Sequence, residues 1–264
     1  MGGGGMSAVA AFTWSVMQDA LHRKVFYAIL AFSLLLMLLI PMLPSASVGV
    51  QVDLLREAAL GLTSIMAFLL AVIMASTIIP GELGRRTIYN TLSRPVRRWQ
   101  YYLGKYVGIM GVVALALAVS LAVLLVLVGA KFGVFNPGLA KAFFTIFLEA
   151  MVLASVAMLA SVHFSPLVCV LLAGLFYVVC HVKGDFLYRA MTDAGNHVLL
   201  RGISGLLYYV LPNLERMNIN ETVAHSERVF RVGPGELALL SAIALVFSGI
   251  FLCLGAYLFE RRDL

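Results

Sequence analysis

The feature of this sequence that most restricts its fold is a series of long apolar runs without charged residues. They occupy residues 25–52, 58–81, 106–130, 142–182 (interrupted only by Glu149) and 237–259. A helix needs about 20 apolar residues to cross the hydrocarbon core of a bilayer, so each run is long enough to cross. The composition agrees, since 62% of the residues are hydrophobic and 12% are charged. The sequence therefore predicts an integral membrane protein and excludes a large soluble catalytic domain.

The fourth run is too long for one helix. Proline disfavours the helical conformation of the residue before it, so the sequence HFSP at 163–166 predicts a tight turn between two helices. The result is an all-α protein of one domain, residues 1–264, with six transmembrane helices at 25–43, 58–79, 104–130, 142–162, 166–182 and 237–259. A signal-peptide core is the alternative for the first helix, but its roughly 19 residues exceed the usual 7–15.

Apolar residues recur at helical spacing before the first predicted span. Val9, Phe12, Val16 and Ala20 form a stripe along one face of a helix. We predict that residues 7–24 form an amphipathic helix that lies in the membrane interface.

Basic residues are concentrated in one loop. From Pro80 to the start of the third predicted span they are Arg85, Arg86, Arg94, Arg97 and Arg98, and Lys105 follows at the entrance of that span. Cytoplasmic loops carry an excess of Lys and Arg, so we expect this loop and both termini to be cytoplasmic and residues 183–236 to be external. Within the external segment, residues 197–211 predict re-entrant or surface helices. The net charge of +6 is accounted for by membrane orientation, and no nucleic-acid partner is expected.

The basic loop contains a mixed apolar and basic pattern at residues 80–95 that predicts a short helix. Pro80 is expected to end the second span, and Pro95 to end the loop helix. Glu82 lies in the first turn, where a carboxylate complements the positive helix end. The aromatic residues at 99–102 are typical of the headgroup zone. Simple anchoring by positive charge is the alternative interpretation of this loop.

Three strings at this place carry a family resemblance. E-x-G-x-x-T-I at 82–88, L-S-x-P at 92–95 and G-K at 104–105 resemble the permease subunit of type-2 ABC exporters. Within that family the chain is similar to the branch associated with multicopper-enzyme maturation. The resemblance extends over the whole chain, including L-P-N-L at 211–214 and the C-terminal F-E-R-R-D-L at 259–264.

The resemblance implies a cytoplasmic coupling loop, residues 82–98, that docks on a separate ABC ATPase subunit. It also implies two ATPase copies, a second permease copy in a homodimer, and a bacterial cytoplasmic (inner) membrane. The residues expected at the ATPase joint are Glu82, Leu83, Gly84, Arg85, Arg86, Ile88, Leu92, Arg94 and Pro95. The transported substrate does not follow from the resemblance.

The sequence contains no G-x-x-x-x-G-K-[ST] phosphate-binding loop, so hydrolysis of ATP with Mg²⁺ is expected only on the partner subunit. This chain is expected to be a transport subunit without enzymatic activity or bound cofactor. His163 and the Cys180-His181 pair lie at opposite ends of one predicted span, so no metal site is expected.

Glu149 is the one carboxylate inside a predicted span. Translocon insertion scales give a cost of about 2.5–3.5 kcal/mol for a charged residue such as Asp at the centre of a membrane helix. Glu149 is therefore expected either to belong to a substrate or proton pathway or to have a structural partner.

Small residues at regular spacing predict close approach between helices. They are Gly104, Gly108, Ala114 and Ala118 in the third predicted span and Gly174 in the fifth. We expect them to pack within the bundle or between two permeases.

Two other classes of function remain open at this point. An ATP-independent secondary transporter or channel would also have several spans, although no internal repeat is evident. The string G-I-S-G at 202–205 is similar to that of rhomboid-type intramembrane serine proteases. A Ser204 nucleophile would need a base, and residues 237–259, where that family places it, contain no histidine.

Overall fold

The computed structural model describes residues 3–39, 48–84, 97–132, 138–193, 197–217 and 233–261. Within these ranges every regular element is a helix. In chain order they are α1 (Gly3–His22), α2 (Lys24–Leu39), α3 (Val48–Gly84), α4 (Arg98–Phe132), α5 (Gly138–Ser161), α6 (Pro166–Val182), a π-helix (Lys183–Leu187), α7 (Tyr188–Thr192), α8 (Val198–Val210), a 3₁₀ helix (Glu215–Met217) and α9 (Pro234–Arg261).

Among the described helices, four are long and apolar enough to cross a membrane. They are Asp53–Glu82 of α3, Arg98–Ala130 of α4, Gly138–Ser161 and Pro234–Arg261. The bent pair of α1 and α2 raises the number to five if it is one span. The protein is therefore a multi-pass helical membrane protein. Because α2 and α6 have only 16 and 17 residues, the six predicted spans stay a prediction.

α3 does not end at Pro80, so the prediction that this proline terminates the second span is wrong. The helix continues through Pro80 to Gly84. Proline removes one backbone donor, but helices in membranes tolerate the loss where neighbouring groups satisfy the freed carbonyl. Contacts from outside the helix also hold its last turn, because side chains of α4 bind the Glu82 carboxylate.

The predicted apolar stripe of α1 faces protein. Val16 and Ala20 are 2% and 1% exposed, and the Phe12 ring packs edge-on against the Tyr101 ring of α4 at 5.4 Å. Trp14, on another face, is 62% exposed. The stripe is thus buried against the bundle, whereas the predicted position of α1 in the membrane interface stays a prediction.

α5 is the central helix of the bundle, because it packs against α3, α4, α6 and α9. Its small side chains allow these helices to approach closely; they include Ala142, Ala150, Ala154, Ser155 and Ala157, all buried. A turn at residues 162–165, where the proline predicts one, connects α5 to α6. Pro166 begins α6, and its fixed φ suits the first helical turn.

Three contacts bring several helix ends together. Glu82 of α3 contacts Lys105 of α4, Arg98 Nη1 donates to the Glu260 carbonyl of α9 at 3.1 Å, and Arg23 Nη1 donates to Thr77 Oγ1 at 3.5 Å. The ends of α1, α3 and α9 therefore meet the beginnings of α2 and α4. We call this part of the bundle the loop end, because residues 85–96 connect α3 to α4 there.

Candidate functional site

The loop end contains a largely buried ion pair between α3 and α4. Glu82 accepts a hydrogen bond from Lys105 Nζ at 2.5 Å through Oε1, and another from the Tyr101 hydroxyl through Oε2. The Lys105 and Glu82 side chains are 5% and 24% exposed. Removing one partner of a fully buried ion pair costs about 3–5 kcal/mol, and the partial exposure of Glu82 reduces that figure. The pair fixes the last turn of α3 to α4.

Helical spacing explains how α4 supplies both partners. Tyr101 and Lys105 are four residues apart, so their side chains lie on the same face of the helix. The Lys105 ammonium also lies 5.4 Å from the centre of the Tyr101 ring, a cation–π arrangement. A single face of α4 therefore presents two donors to one carboxylate.

Tyr101 connects this pair to two further helices. Its ring is fully buried, stacks on Phe259 of α9 with centres 5.8 Å apart, and meets Phe12 of α1 edge-on. Aromatic pairs with this separation contribute about 0.5–1.5 kcal/mol beyond the burial of their surface. Tyr101 thus contacts α1, α3 and α9 at once. Tyr102 is also fully buried, so both tyrosines face protein, and their predicted depth in the headgroup zone stays a prediction.

The small residues of α4 divide into two groups. A Cβ on Gly104 would lie 2.7 Å from Phe12 Cβ, and one on Gly108 would lie 2.5 Å from Val16 Cβ. Thr13 Oγ1 also donates to the Gly104 carbonyl at 3.2 Å. The glycine pair therefore forms the seat of α1. Ala114 and Ala118 lie on an exposed face of α4.

A second close approach joins α4 to α9. A Cβ on Gly255 would lie 2.7 Å from Cζ of Tyr102, so only glycine leaves room for this ring. Tyr102 also packs against Phe259, with ring centres 6.0 Å apart. In contrast, nothing lies within 4 Å of a Cβ placed on Gly174 of α6.

The predicted ATPase joint is described only where it begins. Leu83 and Gly84 complete the last turn of α3 after Glu82. The other residues predicted there lie outside the described residues; they are Arg85, Arg86, Ile88, Leu92, Arg94 and Pro95. The Glu82 carboxylate binds side chains of α4 in the same chain. Glu82 therefore attaches the start of the loop to the helical bundle.

Glu149 lies in α5, is 5% exposed and has a neighbour that the sequence did not indicate. Its Oε1 atom is 3.5 Å from Nε2 of His181 in α6. Within the described part of the chain, neither this oxygen nor either imidazole nitrogen has a hydrogen-bond partner. The ring of Tyr177 covers the imidazole at 4.3 Å. Two largely buried polar groups therefore face each other between α5 and α6.

Among the described residues, those weighed for other chemistry are not grouped into a reaction centre. Ser204 is buried in α8, and α9 contains no histidine. Over the described ranges, no three His, Cys, Asp or Glu side chains are grouped so that they could hold a metal ion. At the loop end, the described side chains of Glu82, Lys105 and Tyr101 hold α3 and α4 together.

Sequence reasoning missed the part played by Tyr101 and Lys105. Their spacing of four residues, together with an acid at Glu82 just beyond the preceding span, is the signal that could have indicated the pair. Tyr102 and Gly255 are 153 positions apart in the sequence, and no local pattern connects them.

The comparisons with known proteins agree with this architecture. The sequence matches the family described as ABC-2 family transporter protein over residues 6–264, nearly the whole chain. No curated protein matches the sequence significantly. With its apolar membrane-crossing helices and its family match, the protein is a permease component of a membrane transport system. The chain belongs to the ABC-2 transporter family.

Proposed function

We propose that this protein is the membrane-spanning subunit of an ATP-driven exporter and forms the translocation pathway. In this proposal two copies pair as a homodimer in a bacterial inner membrane, each with six spans and cytoplasmic termini. Two separate ABC ATPase subunits bind ATP and Mg²⁺ and dock on the coupling loop, residues 82–98. The family match supports the class of transporter, and the contacts of Glu82 support the way in which the subunits are coupled.

The observation that carries the proposal is the attachment of Glu82 to Lys105 and Tyr101. A loop that transmits movement needs a rigid attachment, because a flexible base would absorb the displacement. Glu82 lies in the last turn of α3, just before the segment 85–96, so force on this segment would reach α3 and α4 together. Tyr101 would pass it to α1 through Phe12 and to α9 through Phe259.

The test is affinity purification of the full chain in mild detergent from its native host. We expect an ABC ATPase to copurify in stoichiometric amount and the complex to hydrolyse ATP. Arg85→Glu with Arg86→Glu should reduce recovery of the ATPase by at least about tenfold, because reversing two charges at a docking surface opposes association. The matched control is Arg201→Glu with Arg216→Glu, two reversals in the predicted external segment.

Three results would contradict the proposal. Unchanged recovery of the ATPase after the reversal at residues 85 and 86 would exclude docking through these arginines. Equal loss in the Arg201/Arg216 control would show a general effect of charge reversal. Purification of the permease alone, without ATP hydrolysis, would favour the secondary transporter or channel, for which solute flux into proteoliposomes is the direct assay.

A further inference from the structure

The chain bends sharply where α1 meets α2, at an angle of 66°. Arg23 lies at the bend, where its amide donates to the Ala20 carbonyl at 3.0 Å and its carbonyl accepts from the Phe26 amide at 3.1 Å. Its guanidinium reaches α3 and donates to Thr77 Oγ1 at 3.5 Å. The bend therefore places an arginine where α1, α2 and α3 meet.

An apolar groove begins at this arginine and runs between α2 and α3. It has a volume of about 110 Å³, and its walls include Val25, Phe26, Ile29, Leu70, Ile73 and Met74. Arg23 and Thr77 supply its polar end. His22, Arg23 and Lys24 directly precede the uncharged run that begins at Val25, a pattern typical of the boundary between lipid headgroups and hydrocarbon.

A polar cleft of about 840 Å³ adjoins the groove and shares Arg23 and Thr77 with it. Its charged side chains are Asp19, Arg23, Glu82 and Lys105, with His22 beside them. Glu82 and Lys105 neutralise each other. Asp19 and Arg23 are four residues apart on neighbouring turns, and across the described ranges neither forms an ion pair. One negative and one positive side chain thus remain available to a ligand at the mouth of an apolar groove.

We propose that the groove and cleft together bind one phospholipid whose headgroup carries both a phosphate and a primary ammonium, as in phosphatidylethanolamine. The phosphate lies at the Arg23 guanidinium, the ammonium lies at Asp19, and the first methylenes of one acyl chain lie in the groove between α2 and α3. Guanidinium suits phosphate because its donors match the phosphate oxygens, and an ammonium can donate hydrogen bonds to a carboxylate. The bound lipid connects the α1–α2 bend to α3.

The charges of the cleft distinguish this lipid from the two commonest alternatives. An anionic headgroup such as phosphatidylglycerol would bring negative charge to Asp19 without a compensating cation. A phosphatidylcholine headgroup has a quaternary ammonium, which cannot donate a hydrogen bond to the Asp19 carboxylate. The site therefore selects the aminophospholipid by charge and by hydrogen bonding.

The test is native mass spectrometry of the detergent-purified full chain with equal amounts of phosphatidylethanolamine, phosphatidylglycerol and phosphatidylcholine of identical acyl chains. We expect phosphatidylethanolamine adducts to exceed each of the others by about tenfold. Asp19→Asn should raise phosphatidylglycerol to the level of phosphatidylethanolamine. Arg23→Gln should lower all adducts. The matched controls Glu57→Gln and Arg216→Gln, in exposed positions away from the cleft, should leave the preference unchanged.

A groove variant keeps the test decisive if Arg23→Gln fails to fold. Ile73→Trp fills the groove without changing any charge, and it should reduce phosphatidylethanolamine adducts by about tenfold. Equal adducts of all three lipids would mean adventitious lipid only and would overturn the proposal. The proposal would also be overturned if both Asp19→Asn and Ile73→Trp still preferred phosphatidylethanolamine over the other two lipids. Displacement of the lipid by soluble glycerophosphoethanolamine would do the same, because it would show a site without an acyl-chain requirement.

Discussion

Glu149 of α5 and His181 of α6 face each other inside the bundle, with 3.5 Å between the carboxylate Oε1 and the imidazole Nε2. The carboxylate is 6% exposed and the imidazole is 20% exposed. Their positions are 32 residues apart on two consecutive helices. The contact therefore joins α5 to α6 in addition to the turn at residues 162–165.

This contact predicts unequal effects of removing either partner. His181→Leu leaves a buried carboxylate without its neighbour and should lower the free energy of unfolding by about 1–3 kcal/mol. Glu149→Leu should cost less, because the imidazole is more exposed and can be neutral. The double variant should cost less than the sum of the two, as expected when no buried polar group is left behind. Thermal unfolding in detergent measures all three, and additive effects would contradict the coupling.

Transport measurements can test whether the Glu149 carboxylate takes part in moving substrate or protons. If Glu149 belongs to a pathway for substrate or protons, Glu149→Gln should reduce transport while the protein still assembles, because the amide retains the shape but cannot exchange a proton. Transport by the purified complex in proteoliposomes measures the effect. Normal transport and assembly in Glu149→Gln would assign the residue a structural role.

The attachment of Glu82 predicts rescue by exchange of charges. Glu82→Lys and Lys105→Glu should each lower the free energy of unfolding by about 1–3 kcal/mol, because each places like charges together beside Tyr101. The double variant should recover part of that loss, since an ion pair of reversed direction can form. Glu57→Lys, an exposed change on the same helix, is the control for thermal unfolding. If the double variant were no more stable than the less stable of the two single variants, a direct pair between Glu82 and Lys105 would be contradicted.

The seat of α1 predicts a contrast between two glycines of α4. Gly108→Ala should destabilise the protein by about 1–3 kcal/mol, because the added methyl group overlaps Val16. Gly129→Ala should be neutral or stabilising by up to about 1 kcal/mol, since nothing lies within 4 Å of its Cβ and alanine favours helix. Thermal unfolding of both variants compares them directly. Similar stability of the two would show that α1 is not seated on this glycine.

The contact between Tyr102 and Gly255 predicts a stabilising change. The Tyr102 hydroxyl is buried and has no hydrogen-bond partner among the described residues, so Tyr102→Phe should leave stability unchanged or raise it by about 1 kcal/mol. Gly255→Ala should be destabilising, and adding Tyr102→Phe should relieve part of the loss because the hydroxyl lies nearest the added methyl group. A lower melting temperature for Tyr102→Phe alone would contradict the first expectation.

Much of the architecture is predictable from the chain because it depends on local properties. Runs of about 20 apolar residues can satisfy their backbone in a membrane only as helices, so a multi-pass helical protein follows from the sequence. The break at Pro166 follows from the missing donor and fixed φ of proline. The strings at 82–88 and 92–95 indicated the ABC-2 family, which the match over residues 6–264 confirms. Pro80 misled the prediction, because contacts of Glu82 with α4 hold the helix beyond it.

Only the tertiary structure decided which helix faces which. Periodicity indicates that Gly104 and Gly108 share a face of α4, but it cannot show that α1 occupies that face. Likewise, the sequence marks Glu149 as an isolated acid, and the packing of α6 on α5 supplies His181. These pairs join residues that are far apart in the chain, so their formation depends on how the completed helices pack. The physical reason is that an apolar helix surface favours burial without specifying its neighbour, whereas close approach and polar contacts select one arrangement.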